Sequence, residues 1–381
     1  MNNSLSFDVE QLRRMFPVTR HCAYLNHAAI GTLSDSVREA MENYLAHRAV
    51  SGDEGPYRNL SADLRGSLAQ LTGARPEEIA FVQNTSAGLN VIANALPLQS
   101  GENVVFCDME FPSNVYPWMN LARRGIEARC IPHEGGGLTV KALEAHADEF
   151  TRVVAVSSVE FLTGFRTDLQ AVGRWCHAHG AHFVVDGIQS LGALPMDVRA
   201  CGIHCLSCGG PKWLMGPAGQ GFIYVSPELL DDLRPAFAGC ISVAGWEDWR
   251  TYDLTFLPDA RRFELGCANY VGQAGLLAAV RLLLSVGIDA IEAWTLHLTD
   301  LLITDLQHRG YEVISNLSPQ HRSAIVSFSV RADVDRAFNQ LAAAGIVVSK
   351  REKYIRVSPH AYNTEEEILR IGETLGDVST T

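Results

Sequence analysis

Between residues 79 and 225, segments with a strand-like hydrophobic pattern alternate with segments that have a helical one. This alternation constrains the fold more than any other feature of the sequence. Short apolar runs with the character of strands are mostly separated there by segments with helical spacing. The strand candidates are Ile79–Val82, Val104–Cys107, Val153–Val156, Phe183–Val185 and Phe222–Val225. Strands joined through helices tend to run parallel, with helices on both faces of their sheet. The pattern therefore predicts an α/β fold with a mostly parallel sheet, in which ligands bind at the carboxyl ends of the strands.

A different pattern begins at about Arg262. Two long apolar helices are predicted, and two strand-like runs follow them, each with a helix after it. The helices are Gly275–Leu284 and Ile291–Leu306, and the strands are Ala324–Val330 and Tyr354–Val357. The last helix begins at Thr364 with Glu367 three residues later, which is the pattern of a capping box. We expect a small α+β domain here that packs on the first domain.

The chain length and these patterns predict three parts. A chain of 381 residues is long enough for two domains with a sizeable core. We expect an N-terminal segment (1–20) that packs on the small domain and a large domain (21–261). The small C-terminal domain (262–381) would include the linking helix.

The composition argues against several classes of function. A formal net charge of −12, without any basic run, argues against a nucleic-acid partner. We expect no membrane span, since the apolar run Gly275–Leu284 is interrupted by Arg281. The nine cysteines are an odd number scattered over the chain, which favours reduced thiols. We therefore expect a cytoplasmic protein.

An acid, an amide and a lysine follow two successive strands. Asp186 and Gln189 come at the end of the apolar run at 183–185, and Lys212 lies beside Trp213 after a Gly-Gly-Pro turn. These are the groups needed to hold pyridoxal phosphate (PLP), because the lysine can form a Schiff base and the acid can pair with the pyridinium nitrogen. The alternative is that Asp186 caps a helix and Lys212 is an ordinary exposed lysine.

Three further positions could complete such a site. The segment Gln83–Asn90 follows a strand and begins a helix, so its hydroxyls and free N–H groups could bind a phosphate or could form a plain N-cap. Phe111 could stack on a planar ring or pack in the core. Arg356 lies in an apolar strand and needs an anionic partner, either a structural carboxylate or the carboxylate of a substrate.

Taken in order, these residues resemble the fold-type I PLP-dependent enzymes of the class V aminotransferase family. That group includes cysteine desulfurases, selenocysteine lyases, kynureninase and isopenicillin N epimerase-like proteins. The resemblance extends from Tyr24 to Glu367. It rests on Asp186-x-x-Gln189, Lys212-Trp213, Arg262-Phe263-Glu264, and Arg356 before Tyr362-Asn363-Thr364. It implies a large domain with a seven-stranded, aspartate aminotransferase-like sheet, a small C-terminal domain, and a homodimer with shared active sites.

The resemblance also implies a role for each site residue. Lys212 would be the catalytic lysine that is linked to the cofactor, and Asp186 would pair with the pyridinium nitrogen. Gln189 would hydrogen-bond the phenolic oxygen of the cofactor, and Phe111 would stack on its ring. The phosphate would be bound by Thr85, Ser86 and Ala87, and Cys267 would face the phosphate of the partner subunit. Arg356 would bind the substrate α-carboxylate, and Asn26 and His27 would lie near the substrate.

Four positions depart from the family pattern. Pro211 stands where many relatives have a phosphate-binding histidine, and Cys267 stands where cysteine desulfurases have a threonine. The segment Ser157–Gly164 lacks an asparagine that often positions the ring. The segment Gly345–Tyr354 lacks the persulfide-forming cysteine of the desulfurases, so we expect no sulfur capture by that route.

The same segment of the chain offers a competing metal motif. Cys201, Cys205 and Cys208, with His204 between them, have spacings that superficially match a metal site. Alternate residues of a strand point to opposite faces, so Cys205 and Cys208 would not converge on one ion. We therefore expect no metal.

The expected reaction takes place at the Cα atom of a small amino acid, through an external aldimine and a quinonoid. β-Elimination of the C–S lyase type is favoured by the resemblance, and Lys212 or His27 could supply the acid for the leaving group. Transamination and epimerisation are the alternatives. A non-enzymatic, decayed scaffold with this fold is a further alternative.

Overall fold

The computed structural model describes residues 7–330 and 333–378. The strands are β1 (Ala23–Tyr24), β2 (Ile79–Val82), β3 (Asn103–Cys107), β4 (Glu127–Ile131), β5 (Thr151–Ser157), β6 (His182–Asp186), β7 (Cys205–Gly209), β8 (Gly221–Val225), β9 (Glu312–Val313), β10 (Val326–Ser329), β11 (Ile346–Val347), β12 (Ser349–Arg351) and β13 (Tyr354–Val357). The helices are α1 (Val9–Arg14), α2 (Asp35–Val50), α3 (Leu60–Thr72), α4 (Thr85–Ala95), α5 (Tyr116–Met119), α6 (Val140–His146), α7 (Leu169–His179), α8 (Pro227–Leu230), α9 (Tyr270–Val286), α10 (Ile288–His308), α11 (Val334–Ala343) and α12 (Glu365–Leu375).

Seven strands form the central sheet, in the order β2-β8-β7-β6-β5-β3-β4. The strands from β7 to β4 run parallel to one another, whereas β8 pairs antiparallel with both β2 and β7. The prediction of a mostly parallel sheet is therefore confirmed. Each of the five predicted runs lies in a strand of this sheet, and β2 has the predicted bounds.

The edge strand β4 was not predicted from the sequence. Its residues alternate poorly, and Glu127 and Cys130 are exposed while Ile131 is buried. The strand pairs with β3 on one side, at the end of the sheet. An edge strand does not have to be apolar on both faces, so its hydrophobic pattern is weak.

Helices cover the central sheet on both faces. Phe183 and Val185 of β6 pack on one face with Leu64 of α3 and Val172 of α7, whereas Val184 packs on the other face with Ile92 of α4. Such near-continuous burial is typical of parallel strands that are enclosed by helices. The loops at the carboxyl ends of the strands are consequently the accessible part of this sheet.

A second, four-stranded sheet has the order β12-β13-β10-β9 and is antiparallel. Its apolar side packs with residues of α10, α11 and α12, among them Leu302, Leu341 and Ile368. Helix α12 has the predicted capping box, since the Thr364 hydroxyl accepts from Glu367 N–H and the Glu367 carboxylate accepts from Thr364 N–H.

The beginning of the chain contacts the C-terminal part. Phe16 stacks on Tyr362 with ring centroids 4.4 Å apart, and Arg13 pairs with Glu367 at 3.0 Å. Strand β1 then pairs in parallel with β11, with Ala23 beside Ile346. Residues just beyond the proposed boundary at 20 thus hydrogen-bond to a strand of the C-terminal part rather than to the central sheet.

Helices α9 and α10 connect the two sheets. The predicted apolar helix at 275–284 lies inside α9, which packs against α2 and α3. Among the described residues, no single helix has the length and apolar character required to cross a membrane. The pair α9 and α10 meets those requirements only jointly, across a bend of 78°.

Candidate active site

The candidate site lies at the carboxyl ends of the central strands. Asp186 is the last residue of β6, and Lys212 follows β7, which is the neighbour of β6. The start of α4 is bonded to this same strand, because the Thr85 hydroxyl accepts from Gly209 N–H at 2.9 Å and the Thr85 carbonyl accepts from the Ser207 hydroxyl at 3.0 Å. The acid, the lysine and a helix N-terminus are thereby brought together.

Asp186 is almost completely buried. One of its oxygens accepts a hydrogen bond from Ile188 N–H at 2.9 Å. Burial raises the pKa of Asp186 to about 6, and the bond from Ile188 and the charge of Lys212 oppose that rise. A buried carboxylate of this kind gains stability from a nearby cation such as a protonated pyridine nitrogen.

Lys212 has an unusually acidic ammonium group. Burial lowers its pKa to about 8, Asp186 opposes this effect, and Arg356 adds to it. A lysine with a depressed pKa has a substantial neutral fraction near neutral pH, which is the form that attacks a carbonyl or accepts a proton.

Gly31 allows the backbone around Lys212 to pack closely. Its N–H donates to the Pro211 carbonyl at 2.6 Å, and a Cβ at this position would lie 2.1 Å from the Lys212 carbonyl oxygen. The close approach excludes any larger side chain without movement of the backbone. This glycine was not identified from the sequence, in which nothing connects it to a loop 180 residues later.

Phe111 covers the lysine. The ammonium nitrogen of Lys212 lies 5.6 Å from the centroid of the Phe111 ring, which contacts the edge of Phe161 with centroids 5.2 Å apart. Phe111 is 43% exposed, which is high for a large aromatic side chain. An exposed aromatic face beside the lysine suits the stacking of a planar ring.

The helix start at α4 differs in detail from the prediction. Asn84 is the N-cap, and its side chain accepts from Ala87 N–H at 2.8 Å, so the Ala87 amide that was predicted to bind phosphate is already bonded. The Ser86 hydroxyl lies 2.7 Å from that of Ser113. Within the described residues, the N–H groups of Thr85 and Ser86 have no protein acceptor. They remain the first-turn donors for an anion.

Gln189 is held between two parts of the site. Its amide nitrogen donates to the Ala28 carbonyl at 3.0 Å, and its amide oxygen accepts from the Trp213 indole N–H at 2.9 Å. The side chain therefore fixes Trp213 next to Lys212. The expected contact of Gln189 with the phenolic oxygen of a cofactor would have to use its second amide hydrogen, and that role stays a prediction.

His27 is a structural residue rather than a proton donor to a leaving group. It is fully buried, its Nδ1 donates to the Ser358 carbonyl at 3.0 Å, and its Nε2 accepts from the Tyr362 hydroxyl at 2.8 Å. Burial, reinforced by His360, lowers the pKa of His27 well below the usual value. Both nitrogens are occupied and the ring is neutral, so the expectation that His27 protonates a leaving group is wrong.

Asn26 is connected to Arg356 through a serine. The Ser349 hydroxyl donates to the Asn26 side-chain oxygen and accepts from a guanidinium nitrogen of Arg356 at 3.4 Å. A second guanidinium nitrogen donates to the Phe161 carbonyl. Asn26 is thus linked to Arg356 by hydrogen bonds through Ser349. A direct contact of Asn26 with substrate stays a prediction.

Arg356 is 1% exposed and has unused hydrogen-bonding capacity. No carboxylate of the described residues forms an ion pair with it, and its Nε has no acceptor there. Burial, reinforced by Arg351, lowers its pKa to about 9. Of the two partners considered from the sequence, a structural carboxylate is therefore not observed, and an anionic ligand such as a substrate carboxylate fits the arginine.

The cysteines fall into two groups. Cys205 and Cys208 pack on opposite faces of the central sheet, so the prediction that they do not share one metal ion is confirmed. Cys267 is exposed and lies in a cleft with Tyr44 and Tyr270. Within the described part of one chain, the hydroxyls of the α4 start make no hydrogen bond to Cys267, and its role toward a partner subunit stays a prediction.

Two buried carboxyl groups next to the site were not identified from the sequence. Glu110 follows β3 and Glu160 follows β5, and both are almost or fully buried. Each lies three residues beyond the carboxyl end of a parallel strand, at the same edge of the sheet as Asp186, which ends β6. That position was the available signal, but loop glutamates are usually solvated and attract no notice in a sequence.

These residues fit pyridoxal phosphate. Asp186 offers a buried anion for the ring nitrogen, Lys212 offers an amine with a low pKa, and Phe111 offers an exposed aromatic face. The first turn of α4 offers N–H groups for a phosphate. The unpaired Nε of Arg356 leaves capacity for an anionic substrate.

Comparison with known proteins gives a consistent result. Residues 23–371 match the family model described as "Aminotransferase class-V". The chain is 31% identical to a probable cysteine desulfurase of Methanothermobacter thermautotrophicus, over 97% of this chain and 98% of the relative. It is 27% identical to the uncharacterized aminotransferase YcbU of Bacillus subtilis, over 94% of this chain and 95% of the relative.

A solved structure shows the same fold. The apo structure of a cysteine desulfurase from Thermococcus onnurineus NA1 superposes with a TM-score of 0.87 at 26% identity, and the match covers 96% of this chain and 97% of that one. The family model and the relatives agree with the residues at the carboxyl ends of the strands. The chain therefore belongs to the aminotransferase class-V family of PLP-dependent enzymes.

Proposed function

We propose that the enzyme catalyses β-elimination on a small, cysteine-like amino acid and releases the sulfur directly, without a persulfide on the protein. The reaction would be that of a C–S lyase. Curated relatives that are called cysteine desulfurases support a sulfur-containing amino acid as the substrate. The direct release of sulfur is supported by the structure of one hairpin.

That hairpin consists of β12 and β13, and it carries Arg356. The strands are joined by Glu352 and Lys353 alone, and Glu352 has a left-handed backbone conformation with φ of 51°. The turn is tight and contains no cysteine. The cysteines that are exposed in the described residues, Cys130, Cys240 and Cys267, belong to other segments. A sulfur atom that leaves a substrate held by Arg356 would therefore have no thiol acceptor on this hairpin.

The protein's own residues account for the remaining steps. When bound, PLP supplies an electron sink for the bond that is broken at Cα. Arg356 binds the substrate carboxylate, and Phe111 offers its exposed aromatic face to the cofactor ring. Lys212 accepts the Cα proton because its pKa of about 8 leaves a neutral fraction near neutral pH. Both ring nitrogens of His27 are already hydrogen-bonded within the protein. Lys212 therefore also donates the proton to the sulfur as the C–S bond breaks.

The test is a panel of amino acids with products identified by mass spectrometry. We expect pyruvate, ammonia and sulfide or a thiol in equal amounts from cysteine or its conjugates, and none of them with Lys212→Ala. Conversion of the cofactor to pyridoxamine phosphate would identify a transaminase instead. Exchange of the Cα hydrogen without loss of sulfur would identify an epimerase. Sulfur that stays covalently bound to the protein would contradict direct release.

We also propose that the enzyme works as a homodimer, as its family resemblance implies, with Cys267 facing the partner subunit's phosphate site. Exposure of Cys267 supports this arrangement. Sedimentation analysis of the enzyme with PLP bound tests it, and a monomer that is fully active would contradict it.

A further inference from the structure

Two carboxyl groups and a thiol form a buried cluster beside the site. The Cys107 sulfur and one carboxylate oxygen each from Glu110 and Glu160 lie within 4.8 Å of one another. Cys107 and Glu160 are fully buried, and Glu110 is 7% exposed. The cluster lies where β3 and β5 end, and Asp186 ends the neighbouring strand β6. None of the steps described above uses these groups.

The two glutamates differ sharply in their hydrogen bonds. Glu110 accepts three, from the N–H and hydroxyl of Ser157 and from the Asn114 amide at 3.0 Å. Glu160 accepts one bond at 3.4 Å from the thiol of Cys107, which is a weak donor. Its other oxygen, Oε2, is buried and has no partner among the described residues. An ionised carboxylate needs several donors when it is buried, so this environment suits charge on Glu110 and not on Glu160.

The charged and titratable groups that face Glu160 are three carboxyl groups, which raise its pKa, and one thiol, whose hydrogen bond lowers it. They are Cys107 and Asp108 at the end of β3, Glu110 in the loop that follows, and Asp186 at the end of β6. Burial raises the pKa of Glu160 well above its usual value, and the carboxyl groups of Glu110, Asp186 and Asp108 raise it further. Burial also raises the pKa of Glu110 to about 7, against the bonds from Ser157 and Asn114.

We propose that Glu160 is a positioning residue that stays a neutral carboxylic acid in the working enzyme, so that any negative charge of the pair lies on Glu110. Its neutrality limits the negative charge at this edge of the sheet. A charged Glu160 would repel the charge of Asp186 and favour protonation of Asp186, which would then no longer pair with a pyridinium nitrogen. The inference goes beyond the proposed reaction, since every reaction of this cofactor at Cα needs Asp186 to be ionised.

Infrared spectroscopy of the protein without cofactor tests the protonation state directly. At pH 7 to 8, exposed carboxyl groups are ionised, so a carbonyl stretch from a protonated carboxylic acid reports buried acids. We expect Glu160→Gln to remove intensity from this band, because glutamine keeps the shape and the neutral charge but has no acid group. The matched control is Glu144→Gln, at an exposed glutamate, which should leave the band unchanged. An unchanged band in Glu160→Gln would overturn the proposal.

The pH titration of the visible absorption of the bound cofactor gives a second measurement. If Glu160 is neutral, Glu160→Gln changes no charge, and the midpoint should move by less than about 0.3 pH units. If Glu160 is ionised, the variant removes a like charge beside Asp186, and a shift of about one unit or more would refute the proposal. If Glu160→Gln does not fold, carboxyl-carbon NMR of the native enzyme with ¹³C-labelled glutamate measures the same ionisation. A resonance of Glu160 that titrates near its ordinary pKa would then refute it.

Discussion

The low pKa of Lys212 predicts a specific pattern of chemical reactivity. A lysine with the ordinary pKa of 10.5 is about 0.03% neutral at pH 7, whereas a pKa of about 8 gives about 10%, a difference of about 300-fold. The neutral amine is the form that reacts. In the enzyme without cofactor, we therefore expect labelling of Lys212 by an amine-reactive reagent to rise tenfold per pH unit and to level off above pH 8.

The chain is well suited to this measurement because it has only four lysines, Lys141, Lys212, Lys350 and Lys353. Lys141 is exposed and paired with Glu134 at 2.7 Å, which raises its pKa. It serves as the internal control, and its labelling should still be rising at pH 10. Competitive labelling with isotopic reagents, followed by mass spectrometry of peptides, gives both profiles in one sample.

Two substitutions should move the Lys212 profile in opposite directions. Asp186 raises the pKa of Lys212, so Asp186→Asn should shift the plateau to lower pH by about one unit and raise labelling at pH 7 about fivefold. Arg356 lowers the same pKa, so Arg356→Met should shift the plateau upward. If Lys212 reacts in parallel with Lys141 in the native protein, or if both variants move the plateau the same way, the electrostatic reasoning about the site is refuted.

Two other predictions concern stability. Gly31→Ala should destabilise the protein by about 1–3 kcal/mol, because the new Cβ would overlap the Lys212 carbonyl. The control is Gly66→Ala in α3, where the Cβ meets nothing within 4 Å, and this change should be neutral or stabilising. Thermal unfolding of both variants checks this, and equal effects would contradict it. The pKa of Asp186 lies above its ordinary value of 3.8, at about 6, so its ionised form costs the protein without cofactor about 3 kcal/mol above pH 6. Asp186→Asn should therefore raise the free energy of unfolding of that protein at pH 7, and this difference from the native protein should disappear as the pH falls from 6 to 4. Denaturant titrations at several pH values measure it. A difference in the free energy of unfolding that does not shrink would reject the prediction.

The regular parts of the fold could be predicted from local hydrophobic patterns. Strands β2 and β13 have the predicted bounds, and the Thr364 capping box is present, because each depends on residues close together in the chain. Strand β4 was missed since an edge strand is only partly apolar. Residue types and their order in the chain also predicted that Asp186, Lys212 and Thr85 would meet at one edge of the sheet.

What the sequence could not show is which polar groups are already occupied. Ala87 N–H is bonded to Asn84, and both nitrogens of His27 are bonded to Ser358 and Tyr362, about 330 residues away in the chain. Such partners follow from packing between distant segments and leave no local pattern. The same reason explains why Glu160, with its unpartnered oxygen, and Gly31 were not recognised.

The pairing of β1 with β11 has a consequence for how the enzyme is made. The residues of the cofactor end of the site, from α4 to Lys212, lie within the first 212 of the 381 residues and leave the ribosome early. The end that binds the substrate carboxylate needs residues from both ends of the chain, because Asn26 and Ser349 together position Arg356. Likewise, Ala23 can pair with Ile346 only after Ile346 has been synthesised. During synthesis the first residues remain without their strand partner until almost the last ones appear. We therefore expect nascent or C-terminally truncated chains to gain a cofactor-binding surface before they gain any means of holding an amino acid.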